Sequence, residues 1–211
     1  SINLKNGSQP NLVAVNLSIG TNTTYTHGDP ACNAVNPNTN LLFGQLQALG
    51  VAVVVAAGNN GANNSMSFPG CVSNAFAIGA TSDADVPAGF TNSSAGLRWW
   101  APGVSIDAPV PTGTNEDNKD GTSMAAPHVA GAFALLRECV DGNGNPISNT
   151  AAANDLDASG VNVTRNGVTR RRINVLDAAT SNVNNNDFAF AETLPASPAA
   201  GGYNDFDFNV C

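Results

Sequence analysis

Residues 120–131 of the chain read DGTSMAAPHVAG and predict a tight turn that leads into a helix. Gly121 permits a sharp turn, and Ser123 follows where the helix begins. The helix is rich in small residues, so it can pass close to a sheet or to other helices within a core. Pro127 is compatible with the helix because N–H groups of the first turn have no intrahelical partner. Taken alone, a serine in this position would be interpreted as a helix cap.

The composition is that of a globular domain with few charges. The chain has 211 residues, which is long enough to bury a core, and 42% of them are hydrophobic. Only 11% are charged, against about 25% in ordinary domains. The formal net charge of -8 argues against nucleic acid and against anionic membrane surfaces as partners. The sequence also lacks an apolar run long enough to cross a bilayer.

Apolar runs in the first half of the chain predict strands of a parallel sheet. These runs are residues 12–19, 51–57 and 75–80. The second run, VAVVVAA, is rich in β-branched residues and predicts a central strand. A helix is expected between the first two strands, over residues 41–49 with Asn40 as its cap. The turn at residues 58–61 follows the central strand, and parallel sheets gather ligand sites at such strand ends.

The second half of the chain predicts a mixture of elements. A hairpin is expected around Asn166-Gly167, and its run of arginines is interpreted as a solvated flank of the turn. Trp99 and Trp100 are expected to pack in the core or at an edge rather than to form a carbohydrate platform. Further short elements are expected at residues 105–108, 151–156 and 173–179.

The string DGTSMAAPHVAG resembles the nucleophile segment of the subtilisin-like serine proteases, or subtilases (peptidase S8). The resemblance covers about residues 1–180, a partial peptidase domain. It implies an α/β fold, a three-layer sandwich with a mostly parallel central sheet, incomplete at its N-terminal side. It also implies a serine endopeptidase that acts on polypeptides, needs no cofactor for its chemistry and is a monomer when complete. Ser123 would be the acylating nucleophile.

The resemblance also assigns roles to residues at the strand ends. Asn59 would donate its side-chain N–H to the oxyanion of the tetrahedral intermediate, beside the backbone N–H of Ser123. The ends of two strands would bind the substrate backbone, the first of them by β-strand addition. These substrate-binding residues are Ser18, Ile19, Gly20, Ala56, Ala57 and Gly58. The Phe68-Pro69 peptide bond is expected to be cis, as in the loop beside the family's P1 pocket.

The other two members of a subtilase triad are missing from this sequence. The triad is Asp, His and Ser in chain order, yet neither Asp-Thr/Ser-Gly nor His-Gly-Thr-His occurs before Ser123. His27 is interpreted as a solvated loop residue. His128 lies about 140° round the helix from Ser123, and it is assigned a structural role, packed against the sheet. We therefore interpret the chain as truncated and expect it to be inactive alone. A non-catalytic subtilase-like protein that binds peptides is the alternative.

The four cysteines show none of the C-x-x-C spacings of zinc sites. They suggest disulfides and an oxidising compartment, so the protein is expected to be secreted. Extracellular subtilases often carry a cysteine in each of the loops that hold Cys32 and Cys71, which favours that pair. Cys139 and Cys211 are left to pair with each other or with other cysteines.

Two further features of the sequence leave questions open. Residues 141–146 read DGNGNP, but Pro146 and Ala152 stand where an EF-hand loop needs Gly and Glu, so a polar turn is favoured over a calcium site. Subtilases often bind structural calcium, but no ligands can be assigned here and no metal site is predicted. The composition shifts near Ser181, and residues 181–211 are expected to be a linker and the start of a truncated C-terminal module.

Overall fold

A six-stranded sheet runs through the computed structural model, which describes residues 12–110, 116–139 and 145–181. The strands are β1 (Ala14–Leu17), β2 (Thr24–Tyr25), β3 (Ala52–Ala56), β4 (Met66–Ser67), β5 (Phe76–Thr81), β6 (Leu97–Pro102), β7 (Ile106–Pro109), β8 (Glu116–Lys119), β9 (Val161–Arg165) and β10 (Val168–Arg172). The helices are α1 (Pro30–Val35), α2 (Pro37–Ala48), α3 (Thr122–Leu136), α4 (Asn149–Ser159) and α5 (Val175–Ser181).

The central sheet is parallel except at one edge. Its strand order is β1-β3-β5-β6-β10-β9, and only β9 and β10 pair antiparallel. Helices α1 and α2 pack on one face of this sheet, and α3, α4 and α5 pack on the other. Two small two-stranded sheets, β2-β4 and β7-β8, lie outside it. The predicted α/β fold with a mostly parallel central sheet is confirmed.

Strand β3 separates the two halves of the core, as its β-branched sequence predicts. All five of its residues are buried. Because side chains alternate along a strand, Val54 packs in the cluster beneath α3, whereas Val53 and Val55 pack in the cluster beneath α2. Strand β3 therefore holds helices on both faces of the sheet, and its carboxyl end is fixed between them.

The helix predicted over residues 41–49 begins earlier than expected. Its N-cap is Asn36 rather than Asn40, because Asn36 Oδ1 accepts a hydrogen bond from Asn38 N at 3.2 Å. A separate short helix, α1, precedes it and is capped by Asp29. Both caps are followed directly by proline, which is favoured at the first helical position. These Asp-Pro and Asn-Pro pairs are the signal that the sequence interpretation missed.

Two covalent predictions about the loops are confirmed. Cys32 and Cys71 form a disulfide that joins α1 to the loop after β4, and the Phe68-Pro69 peptide bond is cis. Cys139 was left to pair with Cys211 or with another cysteine, and Cys211 lies outside the described residues. Most of the loop at 141–146 and of the predicted linker and module at 181–211 also lies outside them. These expectations stay predictions.

The predicted hairpin is present as β9 and β10, joined by a turn in which Asn166 and Gly167 have φ of 49° and 77°. Its arginines are not a solvated flank, and that interpretation was wrong. Their guanidinium groups donate to backbone carbonyls of neighbouring segments: Arg165 to Ala88 and Gly89, Arg170 to Leu97, and Arg171 to Gly160. The hairpin thus uses its positive charge to hold the edge of the sheet against adjacent loops.

An ion pair links this hairpin to the loop after β5. Arg172 Nε and Nη2 donate to the Asp85 carboxylate at 2.6 Å and 2.8 Å. These hydrogen bonds hold the pKa of Asp85 below its usual value. A carboxyl group with a lower pKa in the folded state stabilises the protein above its unfolded pKa and loses that contribution as the pH falls through the folded value.

We therefore expect Asp85→Asn to lower the free energy of unfolding at neutral pH by about 1 kcal/mol or less, since both partners are partly exposed. The difference between the variant and the wild type should shrink as the pH falls below about 3.9, the ordinary Asp pKa. Urea unfolding at a series of pH values measures it. A difference that is constant from neutral to acid pH would contradict the expectation.

The two tryptophans are core residues, as predicted. Trp99 and Trp100 are both fully buried, and their indole N–H groups donate to Asp157 Oδ1 at 2.8 Å and Val163 O at 3.1 Å. Trp100 lies against Gly79 of β5, where an added Cβ would come within 2.3 Å of the ring atom Cζ3. The absence of a side chain at position 79 is therefore what lets this ring approach strand β5 so closely.

Gly79→Ala is expected to lower the free energy of unfolding by about 1–3 kcal/mol, because the new methyl group overpacks the core. Gly89→Ala is the matched control. It lies in an exposed loop where a Cβ would meet no atom within 4 Å, and it should change the free energy by about 0.5 kcal/mol at most. Urea unfolding of the wild type and the two variants measures these losses. Equal losses in both variants would contradict a specific need for glycine at position 79.

Candidate active site

A cleft of about 220 Å³ opens where β1 and β3 end beside the start of α3. It is lined by Ile19, Gly20, Thr21, Asn22, Ala56, Gly58, Asn59, Asn60, Ser67, Thr122 and Ser123. Six of the eight residues assigned to a site from the sequence therefore lie together. None of the lining side chains is ionisable, so the polar groups of the cleft are neutral hydroxyls and amides.

The two remaining predicted residues lie just behind the lining. Ser18 contacts Ser123 directly. Ala57 is fully buried, and both of its backbone groups are used within the protein: its N–H donates to Ile78 O and its carbonyl accepts from Ser67 N. The large apolar side chain of Ile19, in contrast, is 61% exposed beside the cleft.

Ser123 is the second residue of α3 and is paired with the end of β1. Its Oγ donates to the carbonyl of Ser18 at 3.3 Å, and Ser18 Oγ donates to the carbonyl of Ser123 at 2.7 Å. A helix N-terminus carries the positive end of the helix dipole and free N–H groups. The Ser123 hydroxyl thus lies where negative charge is stabilised.

Asn59 is held in one orientation by Thr122. Its Oδ1 accepts hydrogen bonds from Thr122 N at 2.9 Å and from Thr122 Oγ1 at 2.8 Å. The Thr122 hydroxyl oxygen in turn accepts from Gly58 N at 3.1 Å. Since the amide oxygen is occupied on this side, Nδ2 is turned away and donates no hydrogen bond within the described residues. An exposed donor on a fixed amide is therefore available at the cleft.

Behind this turn lies a buried polar residue to which the sequence analysis gave no role. Asn92 is fully buried, and its Nδ2 donates to Ala57 O at 3.1 Å. Its Oδ1 accepts from Asn60 N at 3.0 Å and from Ala62 N at 2.9 Å. One side chain thus holds the backbone on both sides of Asn59. A buried asparagine in an Asn-rich sequence carries no signal that separates it from those in loops.

Gly58 is required by this arrangement. Its φ is +103°, and a Cβ at this position would lie 2.2 Å from Ser67 Oγ and 2.4 Å from Asn92 Nδ2. Both the backbone conformation and the close approach of the two polar side chains therefore exclude any residue larger than glycine. The strand end can turn toward Asn59 only because position 58 has no side chain.

Neither histidine of the sequence has a described hydrogen bond to Ser123. The ring of His27 packs near Gly96, its Nε2 is buried without a partner in the described part of the chain, and burial lowers its pKa. It is therefore not the solvated residue that was expected. His128 was expected to pack against the sheet, which is wrong: it is exposed, and its Nδ1 contacts Met124 O at 2.8 Å. The face of α3 that packs on the sheet carries Ala125 and Val129 instead.

Residues 12–110, 116–139 and 145–181 contain no group of three or more His, Cys, Asp or Glu side chains that could hold a metal ion. No helix in this part of the chain is both long and apolar enough to span a membrane. The structural calcium that subtilases often bind has no assigned ligands in this sequence, and the described residues do not show a site for it.

Comparison with known protein families identifies the fold and the class. The model of the subtilase family, peptidase S8, matches residues 8–186, which is most of the chain. The chain therefore belongs to the subtilase family. The resemblance that was based on residues 120–131 is confirmed.

Individual relatives match shorter stretches. Alkaline elastase YaB of Bacillus sp. (strain YaB) is 47% identical over 94 residues, which are 44% of this chain and 24% of that relative. Subtilisin Savinase of Lederbergia lenta is 47% identical over 89 residues, or 42% of this chain and 32% of that relative. An extracellular protease of Xanthomonas campestris pv. campestris is 35% identical over 129 residues, or 58% of this chain and 20% of that relative. The matches thus span about a third or less of the relatives' own lengths.

Solved structures show the same fold over most of this chain. The self-cleaved protease domain of PatA is similar with a TM-score of 0.68 and 26% identity, over 84% of this chain and 64% of that chain. The prenylagaramide maturation protease PagA gives a TM-score of 0.66 at 23% identity, over 83% of this chain and 63% of that chain.

The hydroxyl of Thr122 offers a test of how the Asn59 turn is held. Thr122→Val should lower the free energy of unfolding by about 1–3 kcal/mol, because the buried N–H of Gly58 loses its acceptor. Thr122→Ser keeps the hydroxyl and should lose clearly less. Urea unfolding of both variants measures the difference. Equal losses would mean that the hydroxyl contributes no more to stability than the methyl group does, which contradicts the expectation.

Proposed function

We propose that the protein to which this chain belongs is a serine endopeptidase and that Ser123 is its nucleophile. The cleft supports the proposal, because the Ser123 hydroxyl lies at a helix N-terminus beside the exposed amide donor of Asn59. Acyl transfer needs a nucleophile and donors for the oxyanion that develops on the substrate carbonyl. Asn59 Nδ2 and the backbone N–H of Ser123 would be those donors.

The substrate would be a polypeptide in an extended conformation. The end of β1 at residues 18–20 and the end of β3 at residues 56–58 would bind its backbone, because both strand ends border the cleft. Ile19 would contact an apolar substrate side chain, since it is largely exposed there. No cofactor takes part in this chemistry.

The general base and the carboxylate that orients it would come from outside residues 1–211. The sequence contains two histidines, and each of them is placed away from the Ser123 hydroxyl. Without a base, Ser123 is nearly an ordinary alcohol. Binding and the oxyanion donors alone would leave a residual rate of about 10³ to 10⁴ over water. The chain by itself is therefore expected to be almost inactive.

We place the site of action outside the cell. The Cys32–Cys71 disulfide supports this, because such bonds persist in oxidising compartments. The name of the Xanthomonas relative, an extracellular protease, points the same way. A monomeric state in the complete enzyme remains a prediction.

The test uses a chromogenic peptide substrate and compares two proteins. One is residues 1–211, and the other is the longest polypeptide that the open reading frame encodes (the longest product). The longer product should be active, and Ser123→Ala should abolish its turnover without changing its melting temperature. Asn59→Ala should lower kcat by roughly 10² to 10³, the loss found when a subtilisin loses one oxyanion donor. That magnitude is taken from the relative.

Ser73→Ala and Asn38→Ala are the matched controls, because both side chains are exposed and neither lines the cleft. Full activity of Ser123→Ala would remove Ser123 from the mechanism. An open reading frame that encodes neither an Asp-Thr/Ser-Gly motif nor a His-Gly-Thr-His motif would contradict the proposal that the protein is an active peptidase.

A second candidate is a non-catalytic protein that binds peptides in the same cleft. The position of the two histidines favours it, because no described base reaches Ser123. Titration with an unreactive peptide of the chromogenic substrate's sequence separates the two. If the longest product binds this peptide saturably but does not turn over the chromogenic substrate, the result would support the binding protein over the enzyme.

A further inference from the structure

Pro127 stands inside α3 and removes a hydrogen bond from the residue of the proposed nucleophile. Helix α3 begins at Thr122, so Pro127 is its sixth residue. Pro127 therefore lies beyond the first turn, whereas the sequence analysis expected it within that turn. In an α-helix the N–H of position 127 would donate to the carbonyl of Ser123. Proline has no N–H, and its ring crowds that carbonyl. Ser123 O therefore lacks its helical donor.

Ser18 supplies a donor to this carbonyl from another part of the fold. Ser18 Oγ donates to Ser123 O at 2.7 Å, across 105 residues of sequence. Ser18 Oγ also accepts from Asn16 Nδ2 at 3.0 Å and lies 3.5 Å from Asn16 Oδ1. The Ser123 carbonyl is the nearer of the two acceptors, so the single hydroxyl proton is assigned to it. The return bond, from Ser123 Oγ to Ser18 O at 3.3 Å, makes the pair reciprocal.

We propose that Ser18 is a positioning residue whose hydroxyl replaces the helical N–H that Pro127 lacks, and so fixes Ser123 to the end of β1. The effect on catalysis rests on the proposed function of Ser123. The replacement of one hydrogen-bond donor by another does not depend on that function. An internal helix bond would hold the Ser123 carbonyl to α3 alone, whereas the Ser18 hydroxyl holds it to the strand that borders the cleft. Because of the proline, a hydrogen bond within α3 is replaced by one between α3 and the end of β1, and this bond sets the distance between the two elements.

A double-mutant cycle on residues 1–211 tests the exchange. Ser18→Ala should lower the melting temperature by about 2–4 °C, because the Ser123 carbonyl loses its donor. In the Pro127→Ala background the restored N–H of residue 127 can satisfy that carbonyl, so Ser18→Ala should cost less than half as much. Losses that are equal in the two backgrounds would overturn the proposal.

Ser159→Ala is the matched control. Ser159 Oγ likewise lies within hydrogen-bond distance of two backbone carbonyls, Asp155 O at 2.7 Å and Asn174 O at 3.1 Å, and it has no hydrogen bond to Ser18 or Pro127. Its loss in melting temperature should be the same with proline or alanine at position 127. A loss that also shrank in the alanine background would show that Pro127→Ala alters the whole fold, and would overturn the specific exchange.

Amide hydrogen exchange provides a second measurement. In Pro127→Ala the new amide at position 127 should be protected, because it bonds the carbonyl of Ser123. An amide at this position that exchanges as fast as an unstructured one would overturn the proposal, since the carbonyl would then have kept Ser18 as its partner.

Kinetics of the longest product test whether this contact positions the nucleophile. Ser18→Ala should lower kcat about tenfold or more with KM unchanged, because the hydroxyl orients Ser123 and does not touch the substrate. Added to Pro127→Ala, it should change kcat little. A rise in KM alone would mean that the side chain binds substrate, which overturns the positioning role. If the wild-type longest product showed no turnover, the proposed function would be overturned. The double-mutant cycle in melting temperature would still show whether Ser18 replaces the missing N–H.

Discussion

The structure depends on how closely α3 approaches the central sheet. The first half of the helix packs on the sheet through the small side chains of Ala125, Ala126 and Val129, in one core cluster with alanines of β3, β5 and β6. At Gly103 an added Cβ would lie 2.7 Å from Ala80 Cβ and 3.1 Å from Ala125 Cβ. Because the layers cannot be separated without losing this packing, the first turn of α3 is fixed beside the ends of β1 and β3. Larger side chains here would move Ser123 away from both strands.

The cleft is held together by uncharged hydrogen bonds between segments that are far apart in sequence. Thr122 joins the start of α3 to the turn after β3, and Asn92 joins that turn to the loop after β5. Ser18 joins the end of β1 to Ser123. Since no ionisable group lines the cleft, this framework does not change with pH near neutrality. Any pH dependence of turnover in that range would report on a general base that does not line the cleft.

The sequence was most informative where one residue type has one physical use. The β-branched run of β3, the Asn-Gly turn of the hairpin and the small residues of α3 each predicted their element correctly. Helix α2 was placed too late because the Asn-Pro cap signal was passed over. The hairpin arginines and His27 were misjudged because their neighbours are brought to them by the tertiary fold. His128 was misjudged although its partner, Met124 O, lies one turn away in the same helix. Asn92 was missed for the same reason, since nothing local distinguishes a buried amide.

The burial of Asn92 also bears on how the protein can be produced. Asn92-Ser93-Ser94 is an acceptor sequence for N-linked glycans in a eukaryotic secretory pathway. The side-chain nitrogen that would carry the sugar is the atom that donates to Ala57 O, and the residue is fully buried. A chain that received a glycan there before folding could not form the turn that holds Asn59. A bacterial host avoids this chemistry, whereas a eukaryotic secretion host sets modification of Asn92 in competition with folding.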